Sequence, residues 1–320
     1  MTRATEISNG LRLLLSGLID YAGMFPPANL ALEPALDNYF RYVEGPDAWM
    51  LSTFILPVDR LVDAARLIEA RLHRGPIRIA VLGKGGPDWS SFFSGLDAEI
   101  DRIDEFRHRL GRRIEIAAFE TRLPGAELDF QIRADALVAE AAERLARAEL
   151  GPFFEVPAAE RWQTRVEHTL DALASISAAL PARFKLRTGG VTADAIPSTE
   201  TIAWVLSTVS ERDLKLKFTA GLHHPLRRFR EEVGTQMHGF INVFTAAVLA
   251  KVHQLPASEL NTVLAEEDPR RFRFDDLGIA WTGLAAAAED VARLRGSFAV
   301  SFGSCSFDEP REDLISIGWM

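Results

Sequence analysis

Two stretches hold the residues best suited to covalent chemistry. Phe184-Lys185-Leu186-Arg187-Thr188-Gly189-Gly190 and Leu214-Lys215-Leu216-Lys217-Phe218-Thr219-Ala220-Gly221 both alternate apolar with cationic side chains, and both run into glycine. Such alternation is the period of an extended strand, with Lys185 and Arg187, or Lys215, Lys217 and Thr219, on one face. A lysine on a strand covered on both faces is desolvated and, here, crowded by other cations. Both effects disfavour the ammonium form. The neutral amine attacks a carbonyl carbon, and the resulting Schiff base draws in the electrons of a neighbouring C–C bond as it breaks. Lys185 is the expected nucleophile and Lys217 the second cation that tunes it. Lys215 lies deeper on the same face and suits a structural pairing with a carboxylate such as Glu155. The competing expectation is an ion pair in which Lys185 neutralises Glu120 or Glu155.

Three glycine-bearing segments then suit an anionic group. Gly189-Gly190, Gly221 and Phe302-Gly303-Ser304-Cys305-Ser306 can present backbone amides and hydroxyls to a phosphate or carboxylate. Arg187 and Thr188 stand beside the first of them, and a guanidinium there can hold such a group bidentately. His223 and His224 follow the second segment, and His238 lies further on. Adjacent histidines on an extended chain point to opposite faces, and their spacing matches no metal signature, so substrate contact is expected of His223 and His224, with no metal and no cofactor. A metal-dependent hydrolase or lyase using the three histidines is the first alternative, and a non-catalytic barrel that binds a small anion is the second. Cys305 reads as a buried, inert thiol.

The elements that must position these groups alternate along the chain. Strands are expected at Leu13–Tyr21, Trp49–Leu56, Ile77–Leu82, Ile114–Glu120, Phe153–Val156, in the two lysine stretches, and at Phe298–Ser301 ahead of the last glycine segment. Helical spacing fills the intervals, most clearly at Leu30–Val43, Val58–Leu72, Trp89–Leu110, Ile132–Leu150, Trp162–Leu180 and Ser198–Val209. Eight strands alternating with helices predict an α/β chain folded as a (β/α)8 TIM barrel, one domain over residues 1–320, with catalytic groups at the carboxyl ends of the strands. The long interval between strands seven and eight, residues 225–296, is expected to be an elaborated insertion over the mouth, hinged at Gly234 and Gly239. Alternatively, Met237–Val252 is the seventh barrel helix and the rest packs outside.

Composition narrows the partners. The chain has 320 residues, 48% of them hydrophobic, and a net charge of −9, which argues against a nucleic-acid surface and for a small-molecule substrate. No apolar run approaches the ~20 residues of a membrane span. The single cysteine excludes an internal disulfide framework and suits a reducing cytoplasm. Arg3, Glu6 and Arg12 do not fit a secretory leader. A homo-oligomer is compatible with this composition.

The lysine and glycine segments resemble the deoxyribose-phosphate aldolases and their class I relatives. Lys185-Leu186-Arg187-Thr188-Gly189 is similar to the family's Schiff-base segment on strand six, Lys217 with Ala220-Gly221 to its second lysine on strand seven, and Phe302-Gly303-Ser304-Cys305-Ser306 to its last strand end. Ile19-Asp20-Tyr21-Ala22 resembles the family's opening motif. The resemblance implies a class I aldolase with Lys185 as Schiff-base lysine, Lys217 as its partner and Asp20 in the pocket. One position departs: Glu115-Ile116-Ala117 has alanine where the family carries a catalytic aspartate on strand four. Proton transfer then falls to Glu120 or Glu155, and Arg187 beside the lysine points to a substrate other than deoxyribose phosphate.

Overall fold

The computed structural model describes residues 7–71, 75–125, 130–158, 160–180 and 182–320, with side chains omitted for 130–135. Met1–Glu6, which the leader reading covers, lie outside the described residues. The elements run α1 (Asn9–Leu15), β1 (Ile19–Tyr21), α2 (Leu32–Val43), β2 (Leu51–Pro57), α3 (Leu61–Glu69), β3 (Ile77–Leu82), α4 (Trp89–Leu110), β4 (Ile114–Arg122), α5 (Phe130–Arg147), β5 (Pro152–Glu155), α6 (Trp162–Ile176), β6 (Arg183–Arg187), α7 (Thr199–Glu211) and β7 (Leu216–Thr219). After β7 come β8 (Arg228–Arg230), β9 (Thr235–Met237), α8 (Phe240–His253), α9 (Ala257–Leu264), β10 (Phe272–Asp275), β11 (Gly278–Trp281), β12 (Leu284–Ala287), α10 (Ala288–Ser297), β13 (Ala299–Ser304) and α11 (Asp308–Ser316). Eight parallel strands close into a barrel in the order β1-β13-β7-β6-β5-β4-β3-β2. The fold is the (β/α)8 barrel that the alternating pattern predicts.

By their internal contacts the residues fall into two units: Met1–Ala28 with Pro46–Leu51 and Arg187–Met320, and Asn29–Gly45 with Ser52–Leu186. In the second, strands β2 to β5 and most of β6 pair in parallel, in sequence order. Tyr39 of α2 packs on Phe54 of β2 at 5.5 Å between ring centroids. In the first, β1 pairs with β13 and β13 with β7. Phe240 stacks on Phe302 at 5.4 Å and Phe244 meets Phe218 edge-on at 5.3 Å. Residues Phe240 to Ala250 of α8 are buried on every side, which suits a helix apolar all round. Removing one of these rings costs about 3–5 kcal/mol by the large-to-small rule.

Two elements differ from the sequence expectation. Leu13–Leu15 belongs to α1 rather than to a strand, because Leu11, Leu14 and Leu15 share a helical face, and Gly17 at φ +55° ends the turn before β1. The last barrel strand extends to Ser304, so Phe302, Gly303 and Ser304 lie inside it and not in a loop after it; pairing with β1 continues through Tyr21 and Ser304. The interval after β7 forms a β8–β9 hairpin, the helices α8 and α9, and an antiparallel sheet β10-β11-β12 that packs on α1, α8 and α10.

Candidate active site

A buried three-residue cluster lies on β4, β5 and β6. The Lys185 ammonium is 3.0 Å from Oε2 of Glu120 and 3.0 Å from Oε2 of Glu155. Exposure is 3% for Lys185, 2% for Glu120 and 3% for Glu155, so all three charges are withdrawn from water together. Register explains the meeting of Glu155 and Lys185, which are direct partners across β5 and β6. Glu120 requires a further device. Ile79 pairs with Ile116 but Ala80 pairs with Ala118, so β4 carries one extra residue, Ala117. A bulge of this kind reverses the side-chain alternation beyond it. Glu120 therefore shares a face with Arg122, and Arg122 is the cross-strand partner of Glu155.

The groups in contact with the Lys185 ammonium are thus carboxylates, not the crowd of cations expected from the sequence. The physical reason is that each buried charge needs an opposite one within reach. Arg122, a residue the sequence reading passed over, stands 3.5 Å from the other oxygen of Glu155, Oε1, and is 54% exposed.

The second unit to carry a buried lysine uses a different arrangement. Lys217 of β7 is 2.8 Å from Oδ2 of Asp20 on β1, and the Ser301 hydroxyl donates to the same oxygen at 2.5 Å. A register shift sits here too, since Ala299 pairs with Leu216 but Phe302 with Phe218, which leaves an extra residue in β13 beside Ser301. Arg295 is buried nearby and donates to the carbonyls of Leu14, Ser16 and Ala299. Burial pushes its guanidinium down to about 9, against the opposing field of Asp20. Neither Ser301 nor Arg295 carried a motif; a serine two residues before Gly303 on one strand face was the available signal for the first.

The glycine segments are close-packed. A Cβ on Gly189 would lie 2.7 Å from the Gly221 Cα, and Gly221 itself has φ +78°. Only glycine permits that backbone approach. Thr188 is buried, its amide donating to the Thr219 carbonyl at 2.8 Å and its hydroxyl to that of Ala220 at 2.6 Å. Gly190 faces the Ala195 methyl, and Gly303 lies level with Asp20 and Thr219. The Ser304 hydroxyl donates to the Ser306 carbonyl, and the Ser306 hydroxyl accepts the Glu309 amide at the start of α11. Both hydroxyls are engaged within their own turn. Arg187 is exposed at the end of β6.

The three histidines take separate partners. His223 Nδ1 is 3.3 Å from the Glu309 carboxylate and 3.8 Å from Cys305 Sγ, a cysteine–histidine contact that sequence spacing did not reveal. Burial pulls the His223 imidazole down, but the contacts with Cys305 and Glu309 outweigh it and hold the ring at about 9. His224 Nδ1 meets Asp313 at 2.5 Å and Nε2 meets Arg230 at 2.5 Å. The Arg228 guanidinium also approaches both ring nitrogens, Nδ1 at 2.7 Å and Nε2 at 3.0 Å. Burial pulls the His224 imidazole down, Arg228 in the same direction. His238 donates from Nε2 to the Pro197 carbonyl at 2.7 Å. Among the described residues no group of three or more His, Cys, Asp or Glu side chains is arranged to hold a metal ion, and no helix is long and apolar enough to cross a membrane. The sequence matches no protein-family model and no curated protein.

Proposed function

We propose that the chain is a carbon–carbon lyase of class I aldolase type, acting through a Schiff base between Lys185 and a small carbonyl compound. The observation that carries this reading is the Lys185 ammonium set 3.0 Å from two carboxylates, all but closed to water. An amine nucleophile must first lose a proton, and Glu120 and Glu155 are both within direct transfer distance. The neutral amine then adds to the carbonyl carbon; the oxygen takes a proton and leaves as water with a second one, so a protonated imine remains. A carboxylate removes the proton of the β-hydroxyl, the bond between the carbons α and β to the imine breaks, and its electron pair flows into the imine to give an enamine and an aldehyde. The carboxyl returns the proton to the enamine carbon, and water releases the product.

Lys217, held by Asp20 and aligned with Ser301, is assigned no step in this scheme. An anionic substrate, bearing a phosphate or a carboxylate, fits the cationic residues at the strand ends. The net charge of −9 and the free Cys305 accord with a small-molecule enzyme of the cytoplasm.

Proton exchange tests the reading without knowledge of the full substrate. Enamine formation exchanges hydrogens on the carbon next to the carbonyl, so small ketones, aldehydes and keto acids incubated in D2O should lose that proton signal with wild type and retain it with Lys185→Ala. Exchange that persists in Lys185→Ala, or fails for every carbonyl with folded wild type, contradicts the proposal and leaves the cluster a structural ion network.

A further inference from the structure

Arg122 stands on the same rung as the proposed nucleophile. It pairs across the sheet with Glu155, which pairs with Lys185, so the three residues lie at one height on three neighbouring strands. Adjacent strands are about 4.8 Å apart, which separates the Arg122 and Lys185 backbones by roughly 10 Å. Both side chains leave the same sheet face. Their charged ends converge on the two oxygens of one carboxylate, Lys185 on Oε2 of Glu155 and Arg122 on Oε1, so both cations lie within reach of one short molecule.

Three features distinguish Arg122 from a structural ion-pair partner. Its contact with Glu155 is 3.5 Å, too long for a hydrogen bond, whereas Lys185 sits at 3.0 Å. It is 54% exposed although its strand neighbours Glu120 and Thr121 are buried, so solutes reach it. The backbone beneath it is fixed. The Leu123 amide donates to the Glu155 carbonyl at 2.8 Å, Arg165 donates to the Pro124 carbonyl at 2.8 Å, and a Cβ on Gly85 would lie 2.6 Å from the Arg122 carbonyl oxygen. A guanidinium on a rigid strand end, whose donors make no hydrogen bond among the described residues, is matched to the planar, bidentate geometry of a carboxylate.

We infer that Arg122 is the carboxylate anchor of the site and that the carbonyl substrate is a 2-oxo acid. This rests on the Schiff-base reading of Lys185. The carboxylate lies on Arg122, the adjacent C2 carbonyl faces Lys185, and C3 comes within reach of Glu155. The amine of Lys185 forms its bond to C2, the oxygen of C2 departs as water with protons from the flanking carboxyls, and C3 becomes the enamine carbon. A phosphate end group would place its charge several bonds from the carbonyl and would not bridge one rung in this way.

The test is borohydride trapping with matched carbonyls, pyruvate and its neutral amide, pyruvamide, read as the concentration that labels half of the protein in a fixed time. Pyruvate is expected to label Lys185 at a concentration ~10-fold lower than pyruvamide, the worth of one charge-assisted contact. In Arg122→Ala that ratio is expected to fall towards one, and in Arg122→Lys to recover in part. Equal labelling by the two compounds in wild type, or an unchanged ratio in Arg122→Ala, overturns the 2-oxo-acid assignment while the Schiff base stands. Absence of any Lys185 adduct from folded wild type overturns both.

Discussion

The two buried lysines of this barrel are solved differently. Lys185 is shared between two carboxylates on two strands, at 3.0 Å each, whereas Lys217 faces Asp20 at a single oxygen that also accepts the Ser301 hydroxyl. In both cases a one-residue bulge turns a polar side chain to the required face, at Ala117 in β4 and beside Ser301 in β13. The difference lies in what each ammonium can do with its proton. A transfer from Lys185 to either carboxylate leaves the other at hand to hold the resulting iminium. A transfer from Lys217 to Asp20 would place the proton on the oxygen that already accepts the Ser301 hydroxyl. On the proposed reading, a buried lysine flanked by carboxylates on two neighbouring strands is the one placed for proton transfer.

This contrast is open to direct attack. The largest effect short of removing the nucleophile is expected from Glu155→Gln and Glu120→Gln. Each should slow α-proton exchange by ~10²–10⁴-fold, the usual range for a general acid or base, as measured by initial rates in D2O. Unequal losses would assign the proton at carbon to the more sensitive residue. Lys217→Met should instead act on stability. With the buried Asp20 carboxylate deprived of the Lys217 ammonium, denaturant unfolding should show a loss of about 3–5 kcal/mol, while Lys185 remains available to carbonyl compounds. Ser301→Ala should cost less, about 1.5–3 kcal/mol, because one hydrogen bond to a charged acceptor is removed.

The smallest effect concerns pH. His223 is held at about 9, above its ordinary 6.5, and Glu309 below its ordinary 4.5 chiefly by the hydrogen bond from His223. A base whose folded value is raised contributes stability in full below 6.5 and loses it as pH climbs through about 9; the depressed carboxyl loses its share as pH falls below 4.5. The unfolding midpoint should therefore decline between pH 6.5 and 9.5, and His223→Gln should flatten that decline.

Much of the fold was legible because period-2 and period-3.6 patterns alternate along the chain, and β3 and α4 were bounded to the residue. The pairing of Lys185 with Glu120 and Glu155 was legible as an alternative, since carboxylates at the ends of neighbouring strands are natural partners for a lysine on the next. The bulge at Ala117 was not. One inserted residue leaves no mark on the hydrophobic pattern, and its only signature is the register of a strand 37 residues away, Arg78 with Glu115. Arg122 was missed for a related reason: its value depends on cross-strand level with Glu155. The contact of His223 with Cys305 joins residues 82 apart in sequence, a distance that no local spacing encodes. The three- and four-residue strands after β7 were hidden because their runs are too short to establish a period.

The most direct test of the central claim is borohydride reduction of wild type, Lys185→Ala and Lys217→Met in parallel, each incubated with a panel of small aldehydes, ketones and 2-oxo acids and mapped by peptide mass spectrometry. The account predicts a reduced adduct on Lys185 in wild type and in Lys217→Met, and none in Lys185→Ala. An adduct on Lys217, or none on either lysine from folded wild type, would contradict it.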